Sequence, residues 1–556
     1  MDDMRSRYLE VMERALEAYS YRQIDEYFDE VKRDGLTEHG FARLTVNIGT
    51  MLAHGRKQEL YGRFIEMMSF CCAHMSTDRA ANDFSVQEII ACIDLICEKE
   101  IVDKCIINAW REDLKKPIIY NEVAKSPDQL AYNWVLFSAT SEFLRMKRGL
   151  CPLDMDFIDM QLATQVVHID ENGMYRDASV HAPIVYDNVS RTLFSILLYY
   201  GYDGKYRDLI DKCLRRAGLI SLRMQSATGE IPSGGRSNQF YHNEAHLAVI
   251  FEFEAARYKK EGNLPLASKF KRAASDALAV IERGLSKEPI HHVKNRFPLE
   301  SKYGCDGYGY FNKYMITAAS FLNWARIFCD CEIEAEGEPF TNTDAFMLSD
   351  DFHMTFLRSG DYSVQIDTNA NPDHDASGVC RIHKRGAPSE ICLSCAGTAT
   401  PIYFVDREDC CDVSFAAGMI KNGEPIFKTR GEYEVISCYA GDNIACVALA
   451  CELDGERLEL RVKTSCDGID ITVSGDGEVA LMLPVFDFDG EEHTEIACDG
   501  IRAEINYHGY KCEYLTSGQI KDTGKIGCTR NGHCKIFYAV GKSSVNVHIS
   551  IDSIDF

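Results

Sequence analysis

The sequence has no apolar run of the about 18–20 residues that a membrane-spanning helix needs, so no helical span is expected. Its opening residues, Met1-Asp2-Asp3-Met4-Arg5, do not make the apolar region of a signal peptide, and a cytoplasmic location is the expectation. Positive charge is scarce. Sixty Lys and Arg against 85 Asp and Glu leave a formal charge of −25, which argues against nonspecific nucleic-acid binding. An anionic substrate must therefore meet a local basic site, because the field of the whole chain repels it. There is no phosphate-binding loop, no HExxH, and no second CxxC to match Cys392-Leu393-Ser394-Cys395. The 23 cysteines are odd in number and scattered, and the adjacent pairs Cys71-Cys72 and Cys410-Cys411 have poor geometry for ordinary disulfides. Most are read as small reduced core residues, with neither a metal nor a cofactor expected.

What is present is the material of a globular protein: 46% apolar and 26% charged residues, in 556 positions, more than one ordinary core holds. Apolar residues recur at three- and four-residue intervals over Arg43–Met51, Phe64–Met75, Val86–Leu95, Leu130–Met146, Val189–Tyr200, Ala245–Tyr258, Leu266–Ile281 and Tyr314–Phe328, which predicts helices. Short polar turns separate some of them, and no 34- or 40-residue repeat is visible. Such hairpins stack as a solenoid or close into a ring. After Glu334-Ala335-Glu336-Gly337-Glu338-Pro339, read as a linker, strand-like alternation takes over. Tyr362–Ile366, Ile444–Leu453, Leu458–Val462, Ile469–Val473, Glu478–Val485 and Val545–Ile551 read as strands, with Asp454-Gly455 as a hairpin turn. The expected architecture is a helical domain over residues 1–335 and an antiparallel β-sandwich over 345–556.

One segment is chemically dense. Gly234-Gly235-Arg236-Ser237-Asn238-Gln239-Phe240-Tyr241-His242-Asn243-Glu244-Ala245-His246 places an Arg, two Asn, a Gln, a Tyr, two His and a Glu just ahead of a helix that otherwise reads as core. Buried polar groups need partners, so such a cluster lines a wet cleft. His242 and His246 share a helix face, a spacing that also suits metal, but Asn243 stands where HExxH has its Glu. Proton transfer on a sugar suits this set better than metal hydrolysis of a peptide.

A helical ring followed by a β-sandwich resembles the plan of the α/α-toroid polysaccharide lyases, the heparinase II/III-like group. The wording of Tyr186-Asp187-Asn188-Val189-Ser190-Arg191 with Gly201-Tyr202-Asp203-Gly204, of the Gly234–Ala245 stretch, of Tyr303–Met315 and of Asp375–Pro388 is similar to members of that group. The resemblance implies β-elimination next to a uronic acid, on a uronic-acid-containing oligosaccharide or polysaccharide, without a required metal. Three tasks follow: neutralising the carboxylate, removing the C5 proton, and protonating the departing glycosidic oxygen.

Arg236 is the carboxylate clamp in this reading, with Asn238 and Asn243 as amides for the same carboxylate or for hydroxyls. His242 is catalytic, its ordinary pKa suiting proton transfer, and Glu244 orients His242, Arg236 or a sugar hydroxyl. Tyr308 and Tyr310, in and after the Gly304–Gly309 segment, are the favoured acid/base, with Tyr241 as rival. His383, sharing a strand face with Arg381, and His374 are the β-domain candidates. Asn133, Trp134, His181, Tyr186 and Asn188 are assigned to the cleft floor, Asn188 as an alternative carboxylate amide. A glycoside hydrolase is the competing enzyme, using two carboxylates among Asp177, Glu230, Glu244 and Asp306. A noncatalytic carbohydrate-binding protein is the third reading. The sequence is compatible with a homo-oligomer.

Overall fold

The computed structural model describes residues 3–78, 82–129, 132–177, 181–336 and 342–554. Thirteen α-helices precede seventeen strands among these residues. The helices are α1 (Met4–Glu17), α2 (Tyr21–Asp34), α3 (Gly40–Ala53), α4 (Tyr61–His74), α5 (Asn82–Lys99), α6 (Lys104–Lys115), α7 (Trp134–Lys147), α8 (Met155–Val166), α9 (Ile184–Tyr199), α10 (Arg207–Met224), α11 (His242–Lys260), α12 (Leu264–Leu285) and α13 (Phe311–Phe328). The predicted start of α7 at Leu130 and part of the predicted linker, residues 337–339, lie outside the described residues.

Six helices form an inner ring. α3 packs on α5, α5 on α7, α7 on α9, α9 on α11 and α11 on α13, and α13 returns to α3. The ring is therefore closed. α1, α4, α8, α10 and α12 pack against it from outside. Inner helices are buried nearly all round; every residue of α3 is buried. Their polar residues survive burial by bonding backwards along the same helix, as Thr45 Oγ1 does to the Phe41 carbonyl (2.9 Å) and Thr50 Oγ1 to Val46 (3.0 Å). An outer helix shows the opposite pattern. α2 buries only Ile24, Phe28 and Val31 and starts on a capping box between Ser20 and Gln23.

The strands are β1 (Asp344–Met347), β2 (Met354–Ser359), β3 (Tyr362–Asp367), β4 (Gly378–Lys384), β5 (Ala417–Lys421), β6 (Glu424–Phe427), β7 (Glu434–Gly441), β8 (Ile444–Leu453), β9 (Glu456–Thr464), β10 (Ile469–Gly475), β11 (Val479–Phe488), β12 (Glu495–Cys498), β13 (Arg502–Tyr507), β14 (Tyr510–Thr516), β15 (Gln519–Thr529), β16 (Gly532–Gly541) and β17 (Ser544–Ser553). β1–β4 form an antiparallel meander. An eight-stranded sheet runs β12-β13-β14-β17-β10-β9-β8-β7, and a five-stranded sheet β15-β16-β11-β5-β6. Val447, Leu460, Ile471 and Val547 of the larger sheet share one core with Leu481, Leu483 and Ile536 of the smaller, which makes the sandwich. β10 alternates buried and half-buried residues, as a strand with one covered face must. Asp454 and Gly455 both adopt positive φ between β8 and β9, as a tight primed hairpin turn requires.

The meander packs its β3–β4 face on the segment that leads into α11. Gln365 Oε1 accepts from the Ser233 amide (2.9 Å), its Nε2 donates to the Ser233 carbonyl (2.8 Å), and Arg381 donates to the Ile231 carbonyl. The helical and β parts are thereby joined along the chemically dense segment. The cysteines depart from expectation at one point. Cys410 and Cys528, 118 residues apart in sequence, are disulfide-bonded, while the other 21 are free. The sequence could not show this pairing, because sheet topology alone brings the two together.

Candidate active site

The first turns of all six inner helices face one cavity of about 630 Å³. Its lining includes His39 and Arg43 at the start of α3, Phe84 of α5, Asn133, Trp134 and Phe137 at the start of α7, Tyr186 and Val189 of α9, His242 and His246 of α11, and Lys313, Tyr314, Thr317 and Phe321 of α13. Arg236 and Ser237 enter from the segment before α11, and Tyr308 from the loop before α13. Each helix N-terminus carries roughly half a positive charge from its aligned peptide dipoles. Six of them around one cavity, with Arg43, Arg236 and Lys313 in its lining, stand against the two lining carboxylates Glu38 and Asp177 in a chain whose net charge is −25. Tyr132 and Trp134, both exposed, stand at the rim as flat apolar faces.

The approach to α11 is backbone under tension. Gly234, Gly235, Ser237 and Gln239 all have positive φ, and for the two non-glycines this costs about 1–3 kcal/mol each. The surroundings hold it there. The Gly235 amide donates to Asp375 (2.6 Å), the Ser237 amide to Asp306 (2.9 Å), and Asn243 Nδ2 to the Ser237 carbonyl (3.0 Å). Asp306 is fixed in turn by Arg530, whose two terminal nitrogens reach its two oxygens at 3.1 Å. Burial would raise Asp306, but Arg530 wins and holds it below the usual carboxylate range.

This frame places Ser237 between two phenols. Its hydroxyl donates to Tyr308 Oη (3.0 Å) and lies 3.1 Å from Tyr186 Oη, and the phenols are 3.5 Å apart. The Arg236 guanidinium sits over the Tyr186 ring at 4.2 Å and pairs with the buried Asp177 carboxylate. Tyr314 lies beside the same serine and packs its ring 4.7 Å from His242. Burial raises the Tyr186 and Tyr314 phenols well above their ordinary value, so both stay protonated. His242 is 4% exposed, and its Nδ1 has no hydrogen-bond partner. Burial first, then Arg43 and His292, lower its pKa well below 6.5 and keep the imidazole neutral. His246 is lowered likewise and is bound through Nδ1 to Thr192 (3.2 Å). Arg43 is held at the cavity base by Glu88 (3.0 Å), Thr317 (2.8 Å) and His39 Nδ1 (2.9 Å).

Of the residues expected from the sequence, the cavity gathers Arg236, His242, Tyr308, Tyr186, Asn133 and Trp134. The others lie elsewhere, each for a visible reason. Tyr310 caps α13 from outside, half exposed, beneath Lys302 at 4.9 Å. Tyr241 turns the opposite way from His242, packs on Gly284 of α12, and lines a separate cavity of about 510 Å³ between the helical and β parts. His383 binds Thr228 (2.9 Å), Ser226 (3.1 Å) and Ser394 (3.1 Å) behind the α11 approach, and burial keeps it neutral. His374 backs Arg530 at 3.4 Å and is lowered to about 4 by burial and then by Arg530. Asn238 braces the Pro232 carbonyl (3.1 Å), Asn243 the Ser237 carbonyl, and Glu244 pairs with Lys294 (2.7 Å). Asn188 accepts from Arg191 (2.6 Å), itself locked on Asp187. His181 lies tilted against His353 at 5.2 Å, beside Gly234 and Gly235 in a small separate pocket.

Sequence reading missed His39, Arg43, Lys313, Tyr314 and Tyr132. His39 and Arg43 are four apart at a helix start, a spacing that signals a shared face. Tyr308→Phe is expected to lower turnover on any cavity substrate while Tyr310→Phe leaves it unchanged. Equal losses in the two variants, measured side by side with matched circular dichroism, would contradict the placement.

No protein-family model and no curated protein matches the chain. Among solved structures it is similar to the Streptomyces coelicolor A3 chondroitin AC lyase in complex with chondroitin sulphate, with a TM-score of 0.46 and 11% identity over 98% of this chain and 79% of that one. It is similar to heparinase III, at 0.37 and 11% over 84% and 77%, and to a Paenibacillus xanthan lyase, at 0.46 and 10% over 91% and 53%. The group expected from the sequence is thus among these likenesses, at low identity.

Proposed function

We propose that the protein is a polysaccharide lyase that cleaves next to a uronic acid by β-elimination. The observation that carries this reading is the meeting, in one cavity, of a neutral buried imidazole, protonated phenols and three cations at six helix N-termini. Arg236, Lys313 and the helix ends attract the uronate carboxylate and take up the charge that develops on it. His242 accepts the C5 proton. Tyr308, relayed through Ser237 to Tyr186, protonates the departing oxygen. Among the described residues, no group of three metal-ligating side chains within reach of one another lines this cavity.

The four carboxylates a hydrolase would draw on are all engaged. Asp177 pairs with Arg236, Glu230 and Glu244 share Lys294, and Asp306 holds Arg530. Of the four, only Asp177 lines the cavity, which leaves the hydrolase reading without a pair across one substrate position. The substrate is a uronic-acid-containing oligosaccharide or polysaccharide.

The test is incubation with a panel of uronate oligosaccharides. An ultraviolet chromophore appearing with the new reducing ends supports the lyase. Reducing ends without it decide for hydrolysis. The pH profile gives a further expected result. Because His242 is depressed, kcat should hold its plateau into acid, with the acid limb falling well below pH 6.5. An acid limb at the ordinary imidazole value would remove His242 from the base role.

A further inference from the structure

Away from the cavity, the loop between β4 and β5 meets the β15–β16 hairpin at four side chains. Asp406 Oδ1 and His533 Nε2 are 2.8 Å apart, and these two groups and the Cys528 sulfur lie within 4.8 Å of one another. Cys410 is joined to Cys528. Cys528 is buried, Cys410 half-buried and Asp406 exposed, so the cluster is anchored on one side and open to solvent on the other. Phe297, Phe488 and Tyr303 wall the His533 ring at 5.3–5.7 Å and fix its orientation.

Two thiolates, an imidazole and a carboxylate are the donor set of a closed four-coordinate zinc site. The remaining cysteines bear on which form of the pair prevails. Twenty-one stay thiols, and even Cys329 and Cys331, with sulfurs 3.8 Å apart, are unbonded. Such a chain suits reducing surroundings, where disulfides are rare and a Cys410–Cys528 dithiol is the expected form.

We infer that Cys410, Cys528, His533 and Asp406 form a redox-gated binding site for a zinc-class divalent ion. A dithiol reductant opens it by thiol–disulfide exchange, being itself oxidised to a disulfide as Cys410 and Cys528 become two thiols, and the ion displaces both thiol protons on binding. The site's place in the fold gives it a purpose. Two residues before Asp406, Phe404 exchanges backbone hydrogen bonds with Gly304 (2.8 Å) and Cys305 (3.0 Å). Three residues before His533, Arg530 holds the Gly304 carbonyl (2.7 Å) and Asp306. The ion therefore ties together the two segments that back the loop delivering Tyr308. It is a structural clip, and its binding is independent of which substrate the cavity takes.

The test reduces the full-length protein with a phosphine, which takes up the oxygen of one water as the disulfide becomes two thiols. The protein is then loaded with zinc or cobalt and gel-filtered. One zinc per chain is expected in the reduced protein and none in the oxidised. Cobalt should give a thiolate charge-transfer band that Cys410→Ser and His533→Ala lose and that Cys466→Ser, an exposed cysteine elsewhere, keeps. Asp406→Asn, at the surface, should weaken zinc at least tenfold against a chelating dye, with circular dichroism unchanged. Reduced protein without stoichiometric zinc, a cobalt band surviving Cys410→Ser, or undiminished zinc affinity in Asp406→Asn would each overturn the site.

Discussion

Replacing His242 by alanine is expected to lower kcat by about 10²–10⁴-fold, the usual yield of one positioned acid/base. That is about 2.7–5.4 kcal/mol of barrier. Three features locate the effect in the reaction and not in folding. The Nδ1 of His242 has no hydrogen-bond partner to lose. The ring faces a cavity already open, against Tyr314 and Phe240 at 4.7 and 5.5 Å. The backbone of α11 is held by Asn243 and by the sheet contacts through Ser233. Thermal unfolding should therefore shift little while turnover collapses. Full activity in this variant would exclude His242 as the base and move the role to Tyr314 or Tyr308.

The largest stability effect is expected at Lys294. The residue is 5% exposed, and its ammonium donates to Glu230 (2.9 Å) and Glu244 (2.7 Å), both buried. Glu230, which burial alone would raise, is held ionised by Lys294 and Arg381; Glu244 is raised by burial. Lys294→Met leaves two carboxylates sharing a site without their common cation, at a cost of about 3–5 kcal/mol, or roughly 3–7 °C in Tm for an unfolding unit of this size. The sign with pH is fixed. A buried carboxylate whose folded pKa lies above its unfolded value binds more protons folded than unfolded, so stability falls as pH rises through that window. The deficit of the variant should shrink on acidification and in the double variant with Glu244→Gln. Calorimetry showing a pH-independent deficit would argue that packing, not charge, is what Lys294 contributes.

The six inner helices were all legible as apolar periodicity; five of the expected starts came late by three to five residues, and that of α7 came four residues early. α1, α2, α6, α8 and α10 escaped because an outer helix buries one stripe amid charge; α2 buries three residues of fourteen. The Ser20-x-x-Gln23 capping box was its readable signal. In the β part, β8 was legible to the residue because Asp454-Gly455 fixes the turn, whereas β12 and β5, short and irregular, carry no such punctuation. At the cavity, composition pointed to the α11 approach but could not say which side chains turn inward. Tyr308 and Tyr310 are two residues apart in a loop with no period, and only the Ser237 hydroxyl distinguishes them. Tyr241 and His242 are neighbours that point into different cavities because a helix begins between them. His39 and Arg43 belong to the site through ring closure, which no local pattern announces.

Ring closure also sets when the cavity comes into being. The bond from Arg43 to Thr317 joins positions 274 residues apart, and the length-dependent cost of closing such a loop is about 5 kcal/mol. Nothing short of the last inner helix can complete it. A nascent chain that has delivered His242, Arg236 and Tyr186 still has no enclosed cavity, and the apolar flank of α3 waits uncovered until α13 emerges. The chamber thus closes with α13, and the frame that places Ser237 is complete only when Asp375 and Arg530 of the β part are made. A chain interrupted between Tyr308 and the end of α13 carries most of the cavity's reactive groups without the closed chamber around them.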